Sequence, residues 1–88
     1  MPELSRFYGI IIRMLLKESG HNLPHIHAVY GDDMAVFSIE PIRKLEGRLT
    51  KRAEALVLEW IKLRKNELQK DWDLIKDGKK PKKIKPLE

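Results

Sequence analysis

Residues 25–40 read HIHAVYGDDMAVFSIE, and they contain two runs of alternating side chains around a short polar connection. Both runs, 25–30 and 34–40, have the length of a strand and hold β-branched or aromatic residues. Gly31-Asp32-Asp33 between them leaves room only for a tight turn. This stretch therefore predicts an antiparallel β-hairpin.

The flanking residues extend the predicted sheet on both sides. Residues 8–16 are rich in isoleucine and predict one strand before the hairpin. Residues 17–24 contain Ser, Gly, Asn and Pro and predict a loop. Pro41 ends the second hairpin strand, and residues 43–46 predict a short additional one.

After Thr50 the apolar period changes from two to 3.6 residues, which predicts a helix with Thr50 as its N-cap and Gly78 as its stop. Such a helix would be about 42 Å long. A domain of this size is only about 30 Å across, so we expect a bend or break near residues 64–66. The apolar face carries Ala53, Leu56, Val57, Trp60, Ile61, Leu68, Trp72 and Ile75.

These elements predict an α+β fold with a small antiparallel sheet of three or four strands, packed on a C-terminal helix or bent helix pair. Residues 1–78 are expected to form a single domain, and residues 79–88 a lysine-rich C-terminal tail. The tail holds five lysines and one glutamate and carries most of the net charge of +5, so the body is nearly balanced. We expect the tail to be a solvated terminus.

Composition narrows the class of protein. The chain has no cysteine, which excludes disulfides and thiolate metal sites. It shows neither a signal-peptide pattern nor an apolar run of membrane-spanning length, so we expect a cytoplasmic protein without a membrane partner. A chain of 88 residues buries a small core, and self-association into a homo-oligomer would help to stabilise it.

The pair His25 and His27 is the most chemically suggestive feature. Residues two apart on a strand share one face, with Cα atoms about 6.5 Å apart. Val36, Ser38 and Glu40 should share that face across the hairpin. Arg13 could join them, with His21 on the preceding loop. We expect this face of the sheet to be open to solvent or to a partner.

Four interpretations of the pair remain open, and whether the protein is an enzyme is left undecided. Arg13, His25 and His27 could form a catalytic set, with histidines as general acid and base and the arginine holding a phosphate during RNA cleavage. Alternatively, His25 and His27 could bind a divalent metal, with a third ligand from His21, Glu40, Asp32 or Asp33. They could bind only an anion or a partner, or be ordinary strand residues. No cofactor is predicted under the first interpretation.

Arg48, Lys51 and Arg52 stand at the start of the predicted helix, where the helix dipole is unfavourable to cations. They are therefore candidates for phosphate or nucleic-acid contact, against the alternative of a solvated face. The two tryptophans, Trp60 and Trp72, are predicted to pack in the core, with base stacking as the alternative.

Several segments together resemble the bacterial family called domain of unknown function 4160. They are residues 1–10, Ile12-Arg13-Met14, Pro24-His25-Ile26-His27 ahead of Tyr30-Gly31, residues 55–60, Glu67-Leu68 with Trp72, and the ending, residues 83–88. The match at the ending implies a tail that is docked. The family's strand commonly carries a glutamate where this chain has Val29, so the resemblance lowers the expectation of a metal site.

The resemblance also implies a functional context. Genes of this family often lie beside one for a second small domain, domain of unknown function 2442, in an arrangement like that of a toxin–antitoxin pair. We therefore expect a component of a two-gene module that acts through contact with this small protein partner, and through RNA binding or cleavage. The alternatives are a non-catalytic metal- or anion-binding module and a structural interaction domain.

Overall fold

The structure, a computed structural model, describes residues 3–14 and 23–87 and consists of a five-stranded antiparallel sheet followed by two helices. The elements in chain order are β1 (Glu3–Phe7), β2 (Ile10–Arg13), β3 (His25–Tyr30), β4 (Asp33–Ile39), β5 (Ile42–Gly47), α1 (Lys51–Leu63) and α2 (Lys65–Lys76). Each strand pairs with the next one along the chain, so the sheet is a meander. The predicted α+β class is confirmed.

The predicted count of three or four strands is wrong, because β1 lies before residues 8–16, in a region where no strand was predicted, and only β2 falls within that range. A turn at Tyr8-Gly9 separates β1 from β2, and both turn residues have positive φ, 49° and 81°. Two positive φ angles are typical of the tight hairpin turn whose twist matches its strands. The usual sequence signal for that turn is Asn-Gly or Asp-Gly. Because this chain has Tyr-Gly there, its sequence did not predict the turn.

The central hairpin is confirmed, with His25 opposite Ser38 and Ala28 opposite Ala35. The fourth predicted strand is also present, as β5. The predicted loop over residues 17–24 lies mostly outside the described residues.

The helix signals are confirmed at all three predicted points. Thr50 is the N-cap of α1, and its hydroxyl accepts a hydrogen bond from the Ala53 amide at 3.1 Å. The helix is interrupted at Arg64, which has φ −110° and ψ 18°. Beyond α2, Gly78 has φ +77°, and the amides of Gly78 and Lys79 donate to the carbonyls of Ile75 and Leu74. These two bonds form a Schellman C-cap.

One hydrophobic core joins the sheet to both helices. Ile12, Ile26 and Phe37 supply the sheet side and are completely buried. Trp60 of α1 is also fully buried, and its ring lies 5.4 Å from that of Phe7. Trp72 of α2 is nearly so. Both tryptophans therefore pack in the core, as predicted.

Among the described residues, no helix is long and apolar enough to cross a membrane.

The C-terminal segment, residues 79–87, packs against the body. Ile84 and Leu87 are buried in the core, and the Ile84 amide donates to the Leu4 carbonyl at 2.8 Å. The indole N–H of Trp60 donates to the Lys85 carbonyl at 2.9 Å. The expectation of a solvated tail is therefore wrong for these residues, because apolar side chains among the lysines reach the core.

Asp71 of α2 also holds this segment. Its Oδ1 accepts from the Lys82 amide at 2.9 Å, and the residue is 97% buried at one side of a cavity of about 490 Å³ between α2 and the C-terminal segment. Its Oδ2 is buried and has no hydrogen-bond partner among the described residues. Burial raises the pKa of this carboxyl above its ordinary 3.8; the Lys82 amide opposes that effect, and nearby Glu67 adds to it.

Asp71 should make stability fall with rising pH. Its raised pKa means that the folded chain binds the proton more tightly than the unfolded chain does. The free energy of unfolding should therefore decline as pH rises from below 3.8 through the folded pKa. Asp71→Asn keeps an oxygen for the Lys82 amide but carries no charge. In urea unfolding from pH 3 to 7, wild type should lose stability relative to this variant.

Asp73→Asn is the matched control, because it removes an exposed carboxylate from the same helix. It should not reproduce the trend. A wild type that gains stability relative to Asp71→Asn as pH rises would contradict the assignment.

Candidate functional site

The structure places His25 and His27 on one face of β3, as their spacing predicted, and puts Arg13 on the neighbouring strand. Arg13 on β2 lies directly opposite His27 on β3, and the rings of His25 and His27 have centroids 5.6 Å apart. Val36 lies opposite His27 on the other side, so it shares their face. The strand order, which periodicity left open, therefore puts Arg13 and Val36 on either side of His27.

The histidine face is not open at this cluster, and that expectation is wrong. His25 is fully buried, and His27 is only 7% exposed. Trp72 of α2 packs on the ring of His25, and the centroids of the two rings are 5.1 Å apart. Strand periodicity places side chains on one face or the other, but it does not show whether that face is covered.

A hydrogen bond fixes the orientation of the His25 ring. Its Nδ1 lies 2.7 Å from the Leu23 carbonyl oxygen. Because a carbonyl oxygen can only accept, Nδ1 carries a proton and is the donor in this bond. This bond ties the ring to the chain just before β3, as a structural histidine requires.

Ser38 and Glu40 are engaged elsewhere. The Ser38 hydroxyl donates to the Pro41 carbonyl and lies 3.3 Å from that of Arg43, so it supports the turn between β4 and β5. Glu40 lies beyond the end of β4 and is exposed, and its carboxylate pairs with Lys65 at 2.8 Å. Neither side chain completes a catalytic set with the histidines.

A metal site at His25 and His27 lacks a third protein ligand in the described part of the chain. Within residues 3–14 and 23–87, no group of three or more His, Cys, Asp or Glu side chains is placed to hold a metal ion. Asp32 and Asp33 lie at the far end of the hairpin from His25, since Asp33 pairs with Tyr30. The remaining predicted ligand, His21, lies outside the described residues.

The second predicted set, Arg48, Lys51 and Arg52, is exposed where β5 leads into α1. None of the three side chains forms an ion pair with another described residue, whereas Lys44 nearby pairs with Glu54 at 3.4 Å. The Arg48 amide donates to the Met34 carbonyl, which ties this segment to the start of β4. The structure therefore places three exposed cations, none in an ion pair with a described residue, at the end of the sheet where the exposed acids Asp32 and Asp33 also lie.

Two exposed tyrosines lie at the same end, and sequence reasoning did not single them out. Tyr8 in the β1–β2 turn is 56% exposed, and Tyr30 at the end of β3 is 38% exposed. Together with Arg52 they line a cavity of about 230 Å³. Each tyrosine precedes a glycine at a strand end, a signal that could have marked them as exposed turn aromatics.

Truncating His25 should destabilise the protein, because its ring packs between Trp72 and His27. His25→Ala should lower the free energy of unfolding by about 2–4 kcal/mol, the range for removing a large buried side chain. Urea denaturation at neutral pH measures this change. Arg43→Ala is the control, since Arg43 pairs with Ser38 in the sheet but is exposed. Equal effects of the two substitutions would contradict a packing role.

Comparison with known proteins agrees with the motifs of the sequence. No curated protein and no solved structure matches the chain. The sequence matches the family described as Domain of unknown function (DUF4160) over residues 9–73, from the β1–β2 turn into α2. Because this match covers most of the chain, the protein belongs to the family Domain of unknown function (DUF4160).

Proposed function

We propose that the protein is a component of a toxin–antitoxin-like two-gene module and acts by contact with RNA and with a small protein partner. One observation carries the RNA contact. The exposed cations Arg48, Lys51 and Arg52 lie at the same end of the sheet as two exposed tyrosine rings, and Arg52 lines a cavity with both.

The position of the cations supports anion binding. The first turn of a helix has a positive dipole end, so Lys51 and Arg52 there oppose the helix dipole. The first turn of α1 contains Glu54, but that carboxylate pairs with Lys44. A phosphate group would pair with cations that form no ion pair among the described residues, and contacts of this kind supply most non-specific affinity for nucleic acid.

The tyrosines support RNA over a simple anion. Proteins that bind single strands combine cations along the backbone with aromatic side chains that stack on bases. Tyr8 and Tyr30 provide such rings next to Arg52. A site that binds only inorganic anions gains no stacking energy from two aromatic rings near its cations.

The histidine geometry favours binding over cleavage. General acid and base groups must come within hydrogen-bond reach of the scissile phosphate. His25 has no exposed surface, and His27 has little. The proposed RNA contact therefore lies at the tyrosine end of the sheet, and His25 and His27 serve packing.

The same end of the sheet offers a surface for a protein partner. Met34 is 47% exposed at this end, on the face of the sheet opposite Tyr30, since it pairs with Val29; its carbonyl accepts from the Arg48 amide. Interfaces favour aromatic residues, Met and Arg. A small partner of the domain of unknown function 2442 type would contact this end of the sheet.

Removing the three cations should weaken RNA binding. The triple variant Arg48→Gln, Lys51→Gln and Arg52→Gln should bind a single-stranded RNA 12-mer at least 10-fold more weakly in fluorescence anisotropy at low salt. The slope of log affinity against log salt should become shallower by about 2, at about 0.7 per phosphate contact on a single strand.

The control removes the same charge elsewhere, by replacing Lys76, Lys79 and Lys80, all exposed, with glutamine. This variant should retain most of the affinity. An equal loss in both variants would mean that net charge alone attracts the RNA, and it would contradict the proposed surface.

Co-expression tests the two-gene part of the proposal. The chain should form a stable complex with the product of the neighbouring gene, and expression of the chain alone should slow growth relative to co-expression. Co-purification and growth curves measure the two effects. Unaffected growth in both cases, together with no complex, would rule out the module.

A further inference from the structure

The cavity beside Tyr8 and Tyr30 has the size and lining of a site for a single planar group. Its volume is about 230 Å³, below the roughly 300–1,000 Å³ of sites that enclose a drug-sized ligand. Its lining combines apolar, aromatic and polar side chains, namely Tyr8, Ile10, Tyr30, Thr50, Arg52, Ala53 and Leu56.

The β1–β2 turn holds the two tyrosine rings in place. Tyr8 has φ 49°, a conformation that glycine or asparagine adopts at lower cost. Gly9 lies beneath the ring of Tyr30, because a Cβ at Gly9 would stand only 3.2 Å from that ring. The strained backbone of the turn therefore places the Tyr8 ring at the surface, and the absence of a side chain at Gly9 leaves space for the Tyr30 ring.

The polar side of the cavity fits a phosphate. Arg52 lies in the first turn of α1 and has no ion pair among the described residues. The Thr50 hydroxyl accepts from the Ala53 amide and still has its own proton to donate. An aromatic surface with a cation at its border is the arrangement that a nucleotide requires.

We propose that this cavity holds one unpaired nucleobase of a single-stranded RNA, stacked against tyrosine, with the adjoining phosphate at Arg52. The inference rests on the proposed RNA contact and specifies its substrate as unpaired RNA. Bases inside a duplex are stacked on their neighbours and cannot enter a cavity. Because every base has a π-face, the site tolerates different sequences.

The test uses the fact that the chain has two tyrosines, both of which line this cavity. The full chain is prepared with 3-fluorotyrosine, so that every ¹⁹F resonance reports on the site. It is titrated with a single-stranded RNA 10-mer, the same strand with abasic positions, a duplex of equal length, and inorganic phosphate. Affinities are measured in parallel by anisotropy.

The intact single strand should shift the fluorine resonances and bind roughly 5- to 150-fold more tightly than the abasic strand, the range for one stacked base. Tyr30→Leu should remove this preference, and Tyr30→Phe should retain it. If Tyr30→Leu does not fold, Tyr8→Leu, at the more exposed position in the turn, serves the same purpose.

The outcomes separate the site from the proposed function. Equal affinity for intact and abasic strands, with unmoved fluorine resonances, overturns the nucleobase site but leaves backbone contact with RNA standing. Duplex binding equal to that of the single strand also overturns it. Resonance shifts with inorganic phosphate alone indicate an anion site only. Absence of binding to any RNA overturns both proposals.

Discussion

The helical segment is too long for the body that it covers, and the break at Arg64 resolves this conflict. An uninterrupted helix over residues 51–76 would extend about 39 Å. The longest dimension of the molecule is 33 Å. With the break, Trp72 reaches His25 and Asp71 reaches the Lys82 amide. The C-terminal segment then returns along the body to Leu4 and Trp60.

This arrangement gives the two ends of the sheet different chemistry. At the end where β3 begins, Trp72 of α2 covers His25, and both His25 and His27 are buried. At the end where β3 finishes, the tight β1–β2 turn and the start of α1 leave tyrosines and cations exposed. We therefore expect RNA and partner contact at the end of the sheet with the exposed tyrosines, and a packing role for the histidines at the other end.

Asp71 has a buried carboxyl group that holds the C-terminal segment against α2. Its Oδ1 satisfies a backbone amide of the C-terminal segment, while its Oδ2 has no hydrogen-bond partner among the described residues. Burying a carboxylate costs free energy unless it is paired. The return of the C-terminal segment to the core, through Ile84 and Leu87, offsets this cost with apolar burial.

The sequence by itself determined the features that depend on neighbours along the chain. Alternation over residues 25–39, the Thr50 cap, the Gly78 stop and the excess helix length are local signals, and the structure confirms each. Only the tertiary structure decided that Trp72 covers His25 and that two distant tyrosines meet Arg52. These depend on contacts between residues far apart in the chain, which periodicity does not encode because it specifies a face and not what lies against it.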